Sequence, residues 1–239
     1  MKLRHSESIR AGAVLTLCLL CLNPTGSFGA RPFVTDDARI VDPGGCQIES
    51  FIKRQRRHPD DEFWFLPACT PSGLVELTVG GNRVNNVGTD SASSAILQAK
   101  TLLRELRPND YGLAITIGAS KSHPIDAATA RGWAPYLNLV GSLSLLSDRV
   151  VMHTNLGSTV DRAMSRTRAT WGLGADVSLN PRLYGIVEAY GQEADRPNAQ
   201  LGLRYWVVPN RLQLDATFGG QRADTRSRSW TSFGVRALF

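Results

Sequence analysis

The sequence predicts an all-β fold, a transmembrane antiparallel up-and-down β-barrel of about 12 strands, within a range of about 10–12. Three observations predict it. First, apolar and polar residues alternate with a period of two from about residue 46 onward. Second, the connections between the alternating segments are in turn short and long. Third, the last segment is an amphipathic strand that ends on Phe239. No run of about 20 apolar residues follows residue 30, so a closed barrel is the structure that could span a bilayer.

The first 29 residues have the layout of a secretory signal peptide. A short n-region contains the basic residues Lys2, Arg4 and Arg10, and an apolar h-region covers residues 11–22. Ser27 and Gly29 then place small residues at the −3 and −1 positions of a cleavage site. A single membrane anchor is the alternative, but the h-region is too short to cross about 30 Å of hydrocarbon. We therefore expect residues 1–29 to direct export.

The charge and the cysteines of the mature chain exclude one class of partner and suggest a cross-link. Removal of residues 1–29 takes away three basic residues and one Glu, which lowers the formal charge from +6 to +4. This excess is too small and too dispersed to indicate nucleic-acid binding. Cys46 and Cys69 remain, and an even pair in an oxidising compartment predicts a disulfide, with two free thiols as the alternative.

The strand prediction rests on clear alternation in the C-terminal half and weaker alternation before it. In residues 211–218, for example, Leu212, Leu214 and Phe218 share one face, and polar side chains occupy the other. The same pattern predicts strands over residues 46–56, 61–68, 74–85, 92–104, 112–120, 133–146, 149–159, 166–180, 183–192, 198–208, 211–219 and 227–239.

The connections assign the two ends of the barrel. Short connections of turn-forming residues cover residues 70–73, 107–110, 147–148, 180–182 and 208–210. Longer polar connections cover residues 120–132, 159–166, 192–197 and 220–228. Outer-membrane barrels have short periplasmic turns and longer extracellular loops, so both termini are expected on the periplasmic side.

The two ends of the mature chain carry separate expectations. The last strand resembles the C-terminal signal that the barrel assembly machinery recognises, with one face formed by Phe233, Val235, Ala237 and Phe239. This strand must pair with the first strand near Cys46, so the barrel would cover residues 46–239. Residues 30–45 lack the alternation, and we expect a periplasmic N-terminal segment that sits on that side or folds into the pore.

If the apolar face meets lipid, the other face lines the lumen and carries charges of both signs. These residues are Glu49, Lys53, Glu76, Lys100, Asp176, Glu188, Arg204, Arg211, Asp215 and Arg236. A charge facing lipid at the midplane would cost about 2–4 kcal/mol, which supports this orientation. Either the charges pair and brace a nearly closed barrel, or some of them line a pore and set its solute preference.

An enzymatic function has little support in the sequence. His153 and Ser158 fall on one predicted strand and Glu188 on another, but His153 and Ser158 have opposite strand parity. A nucleophile motif, a metal-ligand spacing and a phosphate-binding glycine loop are all missing from the sequence. We expect no catalytic residues, no metal and no cofactor.

Three segments resemble a known family. They are residues 31–38 (Arg-Pro-Phe-Val-Thr-Asp-Asp-Ala), residues 47–50 (Gln-Ile-Glu-Ser) and residues 201–206 (Leu-Gly-Leu-Arg-Tyr-Trp). Together they resemble an uncharacterised family of bacterial outer-membrane β-barrels that is related to the transporters of the meta-pathway of phenol degradation. The resemblance implies a porin-like channel or a channel for hydrophobic compounds, and it supplies no catalytic residues.

These observations lead to one functional expectation and two alternatives. We expect an outer-membrane barrel of a Gram-negative bacterium that acts as a porin-like channel for passive transport of a small solute, with a hydrophobic solute as one option. The alternatives are a closed structural or surface-exposed barrel and an outer-membrane lipid hydrolase. The expected partners are outer-membrane lipid, lipopolysaccharide at the Arg-rich loops, the barrel assembly machinery and a small solute, but not nucleic acid.

Overall fold

The computed structural model describes residues 33–56, 61–85, 91–123, 132–162, 165–221 and 228–239. Twelve strands occur in these residues, which confirms the all-β prediction at the upper end of its range. They are β1 (Cys46–Gln55), β2 (Asp61–Cys69), β3 (Val75–Asn85), β4 (Ala92–Arg104), β5 (Tyr111–His123), β6 (Ala134–Leu145), β7 (Val150–Asp161), β8 (Arg166–Ser178), β9 (Leu183–Gln192), β10 (Asn198–Val208), β11 (Leu212–Gln221) and β12 (Arg228–Leu238). The predicted signal peptide, residues 1–29, lies outside the described residues.

The strands form one closed antiparallel barrel in which each strand pairs with its neighbours in the chain. Closure is made between β1 and β12, in a register that runs from Gln47 opposite Leu238 to Gln55 opposite Trp230. The backbone of Phe239 extends this pairing by exchanging two hydrogen bonds with Cys46, of 2.8 and 3.0 Å. The barrel therefore has no open edge between its first and last strands.

The alternation of the sequence is realised as an apolar outer face and a polar inner face. In β6, Leu137, Leu139 and Leu145 are exposed on the outside, whereas Ser142 and Ser144 are buried on the inside. The other strands carry exposed apolar side chains in the same way, including the aromatic residues Phe65, Trp133, Tyr205, Phe218, Phe233 and Phe239. An apolar band of this kind meets hydrocarbon in outer-membrane barrels. Among the described residues, no helix is long and apolar enough to cross a membrane.

The short turns are reinforced by side chains. Leu146, Ser147 and Asp148 follow one another in the left-handed region, with φ of 52°, 55° and 64°. Ser147 N–H donates to the Oδ1 atom of Asn109 in the neighbouring turn, over 2.7 Å. Two adjacent short turns are thereby joined, which stiffens this end of the barrel.

A disulfide closes the first hairpin. The structure contains the predicted bond between Cys46 and Cys69, which lie directly opposite each other at the ends of β1 and β2. The Gly44 N–H donates to the Thr70 carbonyl, and the Thr70 N–H donates to the Gly45 carbonyl, over 2.8 and 3.0 Å. The hairpin and the chain that precedes it are therefore fixed together at the short-turn end of the barrel.

The depth of an outward-facing residue in the membrane should decide how much a charged side chain at that site destabilises the barrel. We expect Leu139→Arg, near the middle of β6, to lower the free energy of unfolding in lipid vesicles by about 2–4 kcal/mol. Leu145→Arg is the matched control, because Leu145 ends the same strand on the same face, where the expected loss is about 0–1 kcal/mol. Urea titrations of both variants measure the difference, and equal losses would contradict the assigned membrane position.

The disulfide should stabilise the barrel without shaping its fold. We expect the double variant Cys46→Ser, Cys69→Ser to lose about 2–4 kcal/mol of unfolding free energy, because the denatured chain is no longer cross-linked. Urea titration in vesicles measures the loss, and heat-dependent migration in a gel reports whether the barrel still forms. Wild-type protein that is reduced before refolding is the control and should match the variant.

Candidate functional site in the barrel lumen

The chain before β1 lies inside the barrel. We call residues 33–41 the plug, since they follow an irregular path through the lumen and contact wall strands on several sides. The sequence left two locations open for residues 30–45, and the part that is described lies in the pore rather than below the rim. Its side chains Phe33, Thr35, Asp37, Ala38 and Val41 are buried. The plug is therefore an integral part of the lumen.

The backbone of the plug is bound by side chains of the wall. Glu188 accepts the N–H groups of both Val34 and Thr35, the former over 3.1 Å. The Asp36 N–H donates to the Oδ1 atom of Asn155 over 2.7 Å, and the Nδ2 atom of Asn155 returns a bond to the Asp36 carbonyl over 2.8 Å. The wall replaces the partners that a neighbouring strand would have supplied.

The second half of the plug is anchored in the same manner. The Ala38 N–H donates to the Oγ atom of Ser142 over 2.9 Å, and the Val41 N–H donates to the Oε2 atom of Glu76 over 2.9 Å. Ala38 also packs in a small apolar cluster with Ala114 and Val140. Each of these contacts uses an inward position of a strand, so the plug depends on the closed barrel.

One buried lysine provides the charged anchor. The Nζ atom of Lys100 lies 2.6 Å from Asp36 Oδ1 and 3.2 Å from Asp37 Oδ1, and Lys100 is only 3% exposed. The Thr116 hydroxyl donates to the other oxygen of Asp36 over 2.9 Å. Glu76 and Thr116 stand opposite Lys100 on the two neighbouring strands. Removing the ammonium would leave several carboxylates unbalanced in a site of low dielectric constant.

Two glycines make room for the plug. A side chain on Gly172 would overlap Thr35, and a side chain on Gly174 would press against the ring of Phe33. The Phe33 ring also meets His153 edge to face, with ring centroids 5.5 Å apart. The wall of β8 is therefore shaped to accept the first residues of the plug.

A chain of polar contacts connects the plug to the far wall. Ser142 Oγ lies 2.8 Å from Nδ1 of His153, and Nε2 of His153 lies 3.0 Å from Asp176. Asp176 also pairs with Arg204 over 2.9 Å. The composition matches that of a Ser–His–Asp triad. The Ser142 hydroxyl accepts the Ala38 N–H, however, and both Ser142 and His153 are buried beneath the plug, so a substrate cannot reach them while the plug is in place.

Ser158 and Glu188 were considered with His153 as a hydrolase site, a hypothesis that the opposite strand parity of His153 and Ser158 argued against. The structure pairs His153 with Ser142, which lies directly opposite on β6, and Ser158 lies farther along β7 on the wall of the cavity above the plug. Glu188, the third residue of that hypothesis, holds the plug backbone instead. These three residues therefore do not form one site.

The predicted lumen residues occupy three places. Glu76, Lys100, Asp176, Glu188 and Arg204 surround the plug, while Glu49, Asp215 and Arg236 are buried in the wall formed by β1, β11 and β12. Arg236 donates to Gln47 over 2.7 Å and lies 3.5 Å from Glu49. Lys53 lies nearer the loops and pairs with Glu62 over 3.5 Å. Arg211 is the exception, because it is exposed at the β10–β11 turn.

A cavity of about 640 Å³ extends from the side of the plug to the loop end of the barrel. We call it the vestibule. The plug lines it with Val34, Asp36, Arg39 and Ile40. Its wall runs from Gln47 and Ala68, which lie beside the disulfide cysteines, to Asn198 and Gln221 at the loop ends of β10 and β11. The volume falls within the range of about 300–1,000 Å³ that is typical of small-ligand sites.

The Arg-rich loops, which were expected to contact lipopolysaccharide, are in part engaged with the protein itself. Arg168 pairs with Asp195 over 2.6 Å, and Arg162 donates to the Trp133 carbonyl over 2.8 Å. Arg222 and Arg226 lie outside the described residues. Contact with lipopolysaccharide stays a prediction.

Comparison with known proteins identifies the family and the fold. Residues 17–239 match the model of a family described as Uncharacterised conserved protein UCP029691. The KdgM porin, solved in complex with disordered oligogalacturonate, is 9% identical with a TM-score of 0.62, over 81% of this chain and 99% of that chain. For the NanC porin the identity is 8% and the TM-score 0.60, over 80% of this chain and 98% of that chain.

A third structure extends the fold comparison. Omp33 of Acinetobacter baumannii is 8% identical with a TM-score of 0.54, over 82% of this chain and 98% of that chain. No curated protein matches the chain. At these identities the likeness shows the fold alone, and that fold is the one of outer-membrane porins.

The Lys100 anchor should control how firmly the plug is held. We expect Lys100→Met to expose the plug, because breaking a buried ion pair from one side costs about 3–5 kcal/mol. The measurement is maleimide labelling of Ala38→Cys in a background that lacks Cys46 and Cys69. Labelling should be at least about tenfold faster than in the parent, since every 1.4 kcal/mol changes a population tenfold.

Lys53→Met is the matched control, since the Lys53–Glu62 pair lies in the vestibule and does not touch the plug. It should leave labelling unchanged. If Lys100→Met prevents folding, Thr116→Val removes one hydrogen bond to Asp36 and should raise labelling by a smaller factor. Equal protection of Ala38→Cys in all folded variants would refute the anchor.

Proposed function

This chain belongs to the family described as Uncharacterised conserved protein UCP029691, and from its porin fold and the geometry of its lumen we propose a porin-like channel of the outer membrane that is closed by its own N-terminal plug. The observation that carries the proposal is the position of residues 33–41, which lie inside the lumen, are bound to wall strands on several sides and line the vestibule. A segment held by hydrogen bonds and one ion-pair cluster can leave, whereas a strand of the wall cannot.

The wall around the plug favours a pore that opens when the plug moves. Its inward positions at this level include small residues, namely Ala68, Thr78, Ala114, Thr116, Ser142, Gly172 and Gly174. They would leave open space if the plug withdrew, because their side chains are too short to meet across the lumen. Passive transport of a small solute then needs a movement of the plug and no energy source.

The closed structural barrel is the second candidate, and one observation favours it. On the side of β10–β12 the lumen is filled by the wall itself, through Arg204, Trp206, Gln213, Asp215 and Arg236, all of which are buried. If these side chains alone obstruct the lumen, removal of the plug would not open a path.

The relation to phenol-pathway transporters stays a hypothesis drawn from the sequence resemblance. A hydrophobic solute would follow from that hypothesis.

Planar-bilayer recording separates the two candidates. We expect the wild-type protein to show rare or small openings, and a variant that lacks residues 33–41 to conduct steadily with a step at least several times larger. The physical reason is that the plug blocks the path between the vestibule and the periplasmic end. A correctly folded deletion variant that conducts no better than the wild type would reject the plugged channel and support the structural barrel.

A locked plug supplies the control. Ala38→Cys and Ser142→Cys, combined in the background without Cys46 and Cys69, would join the plug to β6 where the Ala38 N–H already contacts Ser142. We expect no openings from the oxidised protein and their return after reduction. Openings of equal frequency in both states would mean that current does not require the plug to move.

A further inference from the structure

The vestibule wall carries several aromatic rings that face the cavity. Phe51 and Trp64 stack on each other, with ring centroids 5.5 Å apart and planes 4° from parallel. Tyr136, Tyr190 and Trp230 line the same cavity from β6, β9 and β12. They come from strands on different sides of the barrel, so a solute in the vestibule would meet rings from more than one direction.

Two of these rings are fixed against glycines on the neighbouring strand. Tyr136 stands directly opposite Gly118, and Trp230 directly opposite Gly219. A side chain on either glycine would overlap the facing ring. The rings therefore lie along the wall and are already in place before a ligand arrives. A preorganised aromatic surface binds more tightly, since its side chains lose less freedom on binding.

The charges around the cavity are nearly balanced and engaged with one another. Four cationic side chains line it, Arg39, Lys53, Lys100 and Arg236, against five anionic ones, Asp36, Glu49, Glu62, Glu76 and Asp195. Lys53 pairs with Glu62 and also lies 4.8 Å from the ring centroid of Trp230. The excess is a single negative charge, which is too small to select strongly for an anion or a cation.

The remaining polar lining consists of amides and hydroxyls. The amides along the wall are Gln47, Gln98, Asn138, Asn155, Gln192, Asn198, Gln200 and Gln221. The Tyr136 hydroxyl donates to the Oε1 atom of Gln98 over 2.9 Å, which places an amide beside a ring. Side-chain amides both donate and accept hydrogen bonds, as the hydroxyl groups of a ligand require.

From this combination we infer that the vestibule is a binding site for neutral saccharides. One face of a sugar ring presents C–H groups, which pack on the negative face of an aromatic ring, and its edge presents hydroxyls, which suit amides. An acidic sugar would meet five carboxylates against four cations, and a bare hydrocarbon would offer the amides neither a donor nor an acceptor. The inference rests on the proposed function, because it names the solute of the same channel.

Binding is tested on the full, intact protein in detergent, independently of conduction. Isothermal titration with maltotriose, galacturonate trimer and phenol as the three probes compares a neutral saccharide, an acidic saccharide and a small aromatic solute. We expect heat of binding with maltotriose alone. Preference for the acidic trimer or for phenol, or binding of none of the three, overturns the saccharide assignment.

Variants locate the site. Tyr136→Leu and Trp230→Leu should each weaken maltotriose binding by about tenfold, the change that about 1.4 kcal/mol of lost contact produces. Trp133→Leu is the matched control, because Trp133 is exposed on the outer face near the same end of the barrel, and it should bind as the wild type does. Unchanged affinity in both vestibule variants would place the saccharide elsewhere and refute the inference.

The two proposals fail in different ways. If maltotriose binds but the variant without residues 33–41 does not conduct, the plugged channel is refuted and the saccharide site stands as a binding site. If that variant conducts and maltotriose neither binds nor reduces the current, the channel stands and the saccharide assignment is refuted.

Discussion

Every backbone polar group inside a bilayer must find its partner within the protein, and this constraint governs the rest of the structure. It requires β1 to pair with β12, because any unpaired edge would expose N–H and carbonyl groups to hydrocarbon. A closed sheet then presents alternate side chains to lipid and to the lumen. Many polar side chains therefore point into the lumen. Their hydrogen-bond partners have to be water or other groups of the protein.

The plug meets the same requirement without being a strand. Its N–H groups find acceptors on the wall at Glu188, Asn155, Ser142 and Glu76, and its own carboxylates meet Lys100. The carboxylates of the lumen wall thus act as acceptors for another part of the chain, in addition to pairing among themselves. A polar lumen and an irregular segment are complementary, because each supplies the partners that the other lacks.

The sequence predicted the strands, the two faces and the disulfide because these depend on local order along the chain. It placed Lys100 and Glu188 on the inner face, but it could not pair Lys100 with Asp36 or Glu188 with the backbone of Thr35. Those contacts depend on which inward residues lie at the same level along the barrel axis once the barrel has closed. The alternation of apolar and polar residues carries no information about that level. The pairing of His153 with Ser142 was missed for the same reason, since their opposition is set by the register of β6 and β7. One sequence signal did exist, namely the short Thr-Asp-Asp run at residues 35–37 in a segment without alternation.

The anchoring of residues 44–46 to the first hairpin makes the plug a tethered ligand of its own pore. The bonds between Gly44, Gly45 and Thr70, together with the disulfide beside them, hold the base of the segment at the short-turn end of the barrel. A fully extended chain from residue 33 to residue 45 spans at most about 47 Å, so a released plug stays within reach of its seat. Its effective concentration there is of millimolar order, and it does not fall when the protein is diluted in the membrane. Each barrel of the proposed channel would therefore reclose by itself, at a rate that depends on neither the abundance of the protein nor a second molecule.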